Sequence, residues 1–505
     1  MATLAGRDTT GTLQPTEGEV ELVGRRTRTA KVFHRVGTRQ YRIGANLGPV
    51  HYRLDPWDEQ EALKEIDLTM VPTPGAGWDF ACETNGYQVR LWNSRTVGET
   101  TFRCVAQFRR AGRWLAMAPV ALAWENEAGK RQVIAKPNPA VPPTIDNDTD
   151  TATWADAFGV GLDFAYNLRP DRFFKTLIVR TAAALPRPTI NTTGLRLVLV
   201  MALAWDAAPA NGFAAERPPV EVSDDLTGID SPDEVTQDVD FSFRDAGRDV
   251  WWLRRPMAWD SADEEPQEEP HQVPVDWSLR RVGGRVFATL AVQAAALTKA
   301  TFPVFIDTDI GEEQIGASAD DAMSHGATYP GADRFSSTYT SENNGANTGS
   351  FYNDGLRFQG IPIPQGATID SAAISLYATG ARFLDIYIAC EDVDDGAAWG
   401  VGHWPKDAYA SRTGAQVRWT PAAWVDWAWR DSPDLSAPVE EVVARPGWSS
   451  GNDLNFISYN VLTYLSTAMF RTYRAYDYSG NVLGAKFNCS YTEAASFDGL
   501  LLGGD

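Results

Sequence analysis

The chain has 505 residues, 44% of them hydrophobic, with 18 Trp and 22 Phe, too long for one core and too apolar for a disordered chain; about two to four domains are predicted. Its formal charge is -21, yet residues 1–150 carry 19 basic and 18 acidic side chains, so the excess lies beyond them. Acidity on this scale argues against binding a phosphate backbone and against docking to anionic lipid, because Lys and Arg supply the affinity in both cases.

Residues 1–27 are polar and read as an extended arm. MATLAGRDTTGTLQPTEGEVEL has no apolar core after a basic start, so Sec export is not expected. From 28 to 215 short alternating runs such as QYRIG, PVHYRL, GYQVRLWN and TTFRCVAQFRR have a period of two and Gly, Asn or Pro boundaries. They predict antiparallel strands in an N-terminal β-rich domain. PNPAVPPTIDNDTDT (137–151) predicts a loop or sub-domain joint. FFKTLIVRTA (173–182) and LRLVLVMALAW (195–205) predict central strands covered on both faces; the second is too short to span a bilayer.

Residues 216–300 are predicted to be an acidic linker and hairpin region. ADEEPQEEP (262–270) reads as a mobile tip, and Gly283-Gly284 marks a hairpin turn. A new domain is expected from 301 to 505. Its one predicted helix is 437–446, APVEEVVARP, which Pro446 ends. The fold class predicted is all-β: several antiparallel β-sandwich domains, the last jelly-roll-like.

The text from Thr301 carries a resemblance. TFPVFID (301–307) is followed at Gly355 by GLRFQGIPIPQGATIDSAAISLYATG. Together with CEDVDDGAAW (390–399), VRWTPAAW (417–424), SPDL (432–435) and VARPGWSSGNDLNF (443–456), it resembles the DNRLRE-type β-sandwich module of bacterial surface and phage proteins. Upstream, RTRTAKVFHR, GPVHYR, LKEID, WADAFGVGLDFAYN and DVWWLRRPMAWDS resemble the domain that often precedes it in RHS-associated proteins. One departure is Asp309, which stands where a Pro-containing turn is usual. The resemblance implies binding and assembly rather than catalysis.

Candidate chemistry is sparse. Gly447-Trp448-Ser449-Ser450-Gly451 fits the nucleophile-elbow spacing, but a helix before it and a strand after it reverse the order the elbow needs. The histidines His34, His51, His271, His325 and His403 are scattered singly. The turn Glu391–Gly396 gathers oxygen ligands, so Asp392, Asp394 and Asp395 are the candidates for a structural Ca²⁺, with Asp320 and Asp321 as a second place. Position twelve counted from Asp392 is His403, so this is not an EF-hand. Trp404, Trp427 and Trp429 are candidates for contact with a host-surface glycan or with another subunit. Cys82, Cys104, Cys390 and Cys489 lack metal spacing and predict buried packing, with a Cys82–Cys104 cross-strand bridge as the alternative.

The function expected is a non-enzymatic structural protein of a bacteriophage virion, with tail fibre, tip or appendage ahead of capsid decoration. Its expected partners are other virion proteins, further copies of itself in a homo-oligomer such as a trimer, and a host glycan. The alternative from another class is a bacterial surface adhesin or carbohydrate-binding module.

Overall fold

The computed structural model describes residues 14–58, 60–139, 141–206, 221–223, 235–236, 241–245, 248–253, 256–261, 273–282, 285–311, 320–327, 334–336, 341–346, 351–378, 384–400, 402–420, 428–461, 469–475 and 484–493. Strands make up 52% and helices 6%, and the paired strands are antiparallel. The period-two patterning therefore reads through to an all-β structure with several sheets.

Chain contacts divide it into two units. One holds residues up to 51, 62–64 and from 315 onward; the other holds 52–61 and 65–314. This differs from the expected joints at 215 and 300, and the reason is strand pairing. Gln40–Asn46 pairs along its whole length with Lys486–Thr492, so the start of the chain completes the sheet of its end. Val304–Gly311, read as the opening strand of the last domain, instead pairs with Arg172–Val179. Val275–Val282 and Arg285–Gln293 form the expected hairpin, but inside a sheet of the 52–314 unit rather than in a joint.

In the 52–314 unit two sheets share one core. The first runs Val235–Thr236, Val275–Val282, Arg285–Gln293, Arg196–Trp205, Arg113–Glu125, Thr100–Arg110, Gln88–Val97, Phe80–Cys82, Val71–Pro72. Arg196–Trp205 is central as predicted, and nearly every residue in it is buried. The strands on either side of Gly283-Gly284 pair with Val282 opposite Arg285, the two glycines themselves lying outside the described residues. The second sheet centres on Leu162–Leu168, Arg172–Val179 and Val304–Gly311. Facing apolar rows from both, including Phe108, Trp251, Tyr166 and Phe173, merge in one cluster, the mark of a sandwich. The acid-rich stretch after Pro143 is no joint: Thr144–Asp146 and Thr151–Trp154 form a tight hairpin inside this unit. ADEEPQEEP, and most of 206–240, lie outside the described residues.

The other unit is built on a 14-stranded sheet. Its path runs Glu19–Glu21, Ala30–Arg35, Gln40–Asn46, Lys486–Thr492, Thr368–Ala378, Met469–Arg474, Ser341–Ala346, Phe351–Phe358, Leu454–Asn460, Ile386–Cys390, Val417–Trp419. The expected arm thus ends in an edge strand. Alternation sorts each strand: Ile369, Ala372, Ile374, Leu376 and Phe487, Cys489, Tyr491 enter the core. The predicted helix is present at Ser436–Val443, burying Val439, Val442 and Val443 against that core.

A chain cut to begin near residue 298 lacks Ala30–Arg35 and Gln40–Asn46. It bares the Lys486–Thr492 edge and deletes Ala30, Val32, Ile43 and Ala45 from the core. Such a fragment is expected to be insoluble, or to melt well below the full chain. Joining residues 14–51 through a short linker to 315–493 is expected to restore folding, as soluble yield and circular-dichroism melting will show.

Candidate functional site

The acidic turn after Ile386–Cys390 lies against the segment after the Ser436–Val443 helix. Arg445 Nε donates to Asp394 Oδ1 at 2.7 Å, and its Nη1 donates to Asp392 Oδ1. Asp395 Oδ1 accepts from the Asp453 amide at 2.8 Å. Asp394 and then Asp392 hold the Arg445 guanidinium above its ordinary pKa. The cation in the expected calcium turn is therefore a side chain, and among the described residues no group of three or more His, Cys, Asp or Glu is placed to hold a metal. Gly447 leaves room for this carboxylate: a Cβ there would lie 2.0 Å from Asp394 Oδ2 and displace it.

Asp320 and Asp321 part company because adjacent strand residues face opposite ways. Asp320 turns to Arg357, whose Nη1 donates to its Oδ1 at 2.8 Å and whose Nη2 donates to Asp453 Oδ2 at 2.5 Å. Arg357 Nε donates to the Gly396 carbonyl at 2.9 Å. One guanidinium thus ties three stretches of chain. Burial pushes the Asp320 carboxyl up to about 7, against the pull of Arg357.

His403 closes the same turn. Its Nε2 meets Glu391 Oε1 at 2.9 Å, its Nδ1 meets the Ala398 carbonyl at 3.1 Å, and its ring stacks on Trp399 at 4.8 Å. Both partners are acceptors, so this setting favours the charged ring, which donates from both nitrogens. The Glu391 hydrogen bond raises its pKa, against partial burial. The Gly447–Gly451 stretch is the helix-to-strand turn its surroundings predicted, anchored by Trp448 Nε1 donating to the Ile363 carbonyl at 2.9 Å.

Asp321 faces the opposite way, into the core. It pairs with Leu356, two residues from Asp354 on the neighbouring strand, so the two carboxylates share a face. Asp321 is 1% and Asp354 2% exposed. Asp354 lines a cavity of about 20 Å³ with Ser458, Tyr473, Trp419 and apolar side chains, none of them basic. Among the described residues neither of its carboxylate oxygens has a hydrogen bond of normal geometry. Burial holds its pKa well above the usual carboxylate range; the Tyr473 hydroxyl opposes this and the Asp321 charge adds to it. Sequence reading missed Asp354 because one acid in an otherwise core-facing row carries no motif.

The aromatic candidates separate. Trp427 lies outside the described residues. Trp404 is half-buried at the start of the short Pro405–Ala408 helix, with Lys406 Nζ 4.8 Å over its ring. Trp429 stands opposite Tyr377 on the outer face of the Thr368–Ala378 strand, with ring centroids 5.5 Å apart and edge-on. Lys486 Nζ lies 4.5 Å over the Trp429 ring. Asp431 shares the face and accepts from Ser375 Oγ at 2.5 Å, while Asn488 Nδ2 donates to that same Oγ at 3.3 Å. This row combines a partly exposed indole with polar side chains, the composition that sugar-stacking surfaces use. Lys486 and Asp431 were not legible as its members, because three strands distant in sequence bring them together.

All four cysteines are free and buried. Cys82 and Cys104 sit on strands separated by Gln88–Val97, so the alternative of a bridge is not realised. Burial pushes the Cys82 thiol up to about 12. No helix among the described residues is long and apolar enough to cross a membrane.

No family model and no curated protein matches the chain. Among solved structures, a Paenibacillus xanthan lyase is 7% identical with a TM-score of 0.14; the alignment covers 93% of this chain and 56% of the lyase. A Trypanosoma rangeli sialidase is 10% identical with a TM-score of 0.14, covering 95% and 92%. The N-terminal domain of the Streptococcus gordonii adhesin Sgo0707 is 8% identical with a TM-score of 0.12, covering 85% and 95%. Likenesses this low carry no argument about fold or activity.

Two outcomes follow from the turn. A Cβ on Gly355 would lie 2.5 Å from Trp399 Cε2 and 2.9 Å from Pro405 Cγ, so Gly355→Ala is expected to destabilise by about 1–3 kcal/mol in denaturant melts. His403 has a folded pKa above its unfolded one. Its contribution is therefore full below the unfolded value and is lost as pH rises through the folded one. Glu391→Gln is expected to cost on the order of 1 kcal/mol near about pH 6, discounted for the half-exposed ring. The gap to wild type should narrow towards about pH 9, leaving a remainder from the Asn455 Nδ2 bond to Glu391 Oε2 at 2.9 Å.

Proposed function

We propose that the chain is a non-enzymatic structural protein of a bacteriophage virion, associated with the tail as a fibre, tip or appendage, and that it takes part in assembly and host-surface attachment. The observation that carries this reading is the outer face of the Thr368–Ala378 strand, where Trp429, Tyr377, Lys486 and Asp431 form a part-exposed aromatic and polar row on a rigid sheet. Support also comes from how the turns beside the sheet spend their reactive groups. His403, Glu391, Asp392, Asp394 and Arg357 are all engaged in hydrogen bonds that tie neighbouring turns to one another. That arrangement suits a stiff display surface. The resemblance of the 301–456 text to surface and phage modules points the same way, and homo-oligomerisation, such as a trimer, is the natural form for a many-copy appendage.

The same aromatic row favours a second reading, a bacterial cell-surface adhesin or carbohydrate-binding module. Mass spectrometry of particles purified from the source strain separates the two. The chain is expected in stoichiometric amount beside tail proteins; its absence from particles together with its presence on cell envelopes would select the adhesin. Under either reading Trp429→Ala is expected to fold normally and to weaken retention on host envelopes about tenfold, the loss that accompanies roughly 1.4 kcal/mol of contact. Unchanged retention would remove this face from the attachment role.

A further inference from the structure

We propose that His51 is an acid-sensitive latch: while neutral it holds the loop at residues 26–29, and with it the first strands of the chain, onto the unit that contains the chain's end, and when charged it lets that loop go. His51 is 1% exposed and stands where the chain leaves this unit. Its Nδ1 lies 2.6 Å from the Thr27 carbonyl, an acceptor, so that nitrogen carries the proton and donates. Its Nε2 is buried and has no hydrogen-bond partner among the described residues. The backbone is tied to the same loop, since the Val50 and His51 amides both donate to the Arg28 carbonyl, at 2.8 and 3.0 Å. The loop in turn reaches the later part of the chain, through Thr29 Oγ1 donating to the Gln359 carbonyl at 2.5 Å.

A second proton on this ring would sit on Nε2, where no described residue accepts it, so charging buries a cation and leaves a donor unpaired. The charged groups facing the ring add to this cost. Arg26 from the loop and Lys31 from Ala30–Arg35 oppose the charge, while Glu21, the acid that favours it, already accepts from Arg26 Nε at 2.6 Å. Lys64 and Glu65, on the short strand paired with His51–Tyr52, are exposed and of opposite sign. Burial, against the Thr27 hydrogen bond, and then Arg26 and Lys31 push the ring down to about 4. A group whose folded pKa lies below its unfolded one, about 6.5 for histidine, contributes fully above the unfolded value and is lost as pH falls through the folded one. His403 and Asp320, in the same unit, are shifted upward and so gain on acidification. Arg42 holds the Glu19 carboxyl down to about 2, and against partial burial Arg26 holds Glu21 below its ordinary value, so both lose their contribution only below the ordinary carboxylate range. The interval from about pH 7 down to about pH 5 therefore reports the histidine rather than these acids.

Hydrogen exchange of the full chain is followed by mass spectrometry at about pH 7 and about pH 5, each rate divided by its intrinsic value at that pH. Protection of peptides spanning 27–35 and 46–51 is expected to fall at the lower pH by roughly tenfold or more, as an unfolded value near about 6.5 and a folded value well below it require. Arg196–Trp205, in the other unit, should keep its protection. His51→Asn retains a donor for the Thr27 carbonyl and has no charged form, so its protection should not change between the two conditions. His34→Asn should respond as the wild type does. Unchanged protection in the wild type, a fall that survives His51→Asn, or a fall lost only with His34→Asn overturns the latch. A fall shared equally by Arg196–Trp205 also overturns it, because that is general acid unfolding. Should His51→Asn fail to fold, ¹⁵N NMR of the wild type labelled in its five histidines decides. One ring is expected to remain neutral, with its proton on Nδ1, at about pH 5. Five rings all charged under that condition overturn the proposal.

Discussion

The unit that carries the candidate site depends on a pairing between the chain's two ends. Gln40–Asn46 runs beside Lys486–Thr492 residue for residue, from Gln40 opposite Thr492 to Asn46 opposite Lys486. Ile43 and Ala45 thereby meet Phe487, Cys489 and Tyr491 in one core. Residues 65–314 form a separate unit inserted between these partners. Closing so long a loop costs entropy that grows only logarithmically with its length, and the inserted unit reduces that cost further by folding on its own core. The arrangement still places most of the stabilising contacts of the sheet far apart in sequence, which slows folding relative to local topologies.

Once that sheet is closed, its turns are fixed by charge. Arg357 reaches Asp320, Asp453 and the Gly396 carbonyl, while Arg445 reaches Asp392 and Asp394. These carboxylates are tolerated because each meets a guanidinium fork. Glycines let the pieces approach: Gly355 makes room for Trp399 and Gly447 for Asp394. Truncating either arginine would leave its acids without their cationic partner, which is costlier than the bond itself is stabilising.

A single strand then serves two environments. Ile374 and Leu376 of Thr368–Ala378 face the core and line the cavity beside Asp354. Ser375 and Tyr377, between and after them, face outward with Asp431, Trp429 and Lys486. A change that shifts this strand by one residue would exchange the two faces and destroy both the packed interior and the aromatic row. The packed interior and the outward surface therefore depend on the same strand.

Local pattern determined a great deal. Alternation gave the strands, Gly283-Gly284 gave a hairpin with Val282 opposite Arg285, and Pro446 with the apolar spacing before it gave a helix at Ser436–Val443. These features depend on neighbours within a few residues, so they are written in the sequence. The placing of Val304–Gly311 beside Arg172–Val179, and of residues 30–46 beside the C-terminal strand, is not so written. Any β-strand of suitable pattern satisfies another strand's hydrogen bonds, and only competition among all of them selects the partner. The same holds for chemistry. The acids of 391–396 read as a cation site until folding supplied Arg445 from fifty residues away, whereas Asp354, silent in its own strand, shares a buried face with Asp321 only because strand pairing sets them side by side.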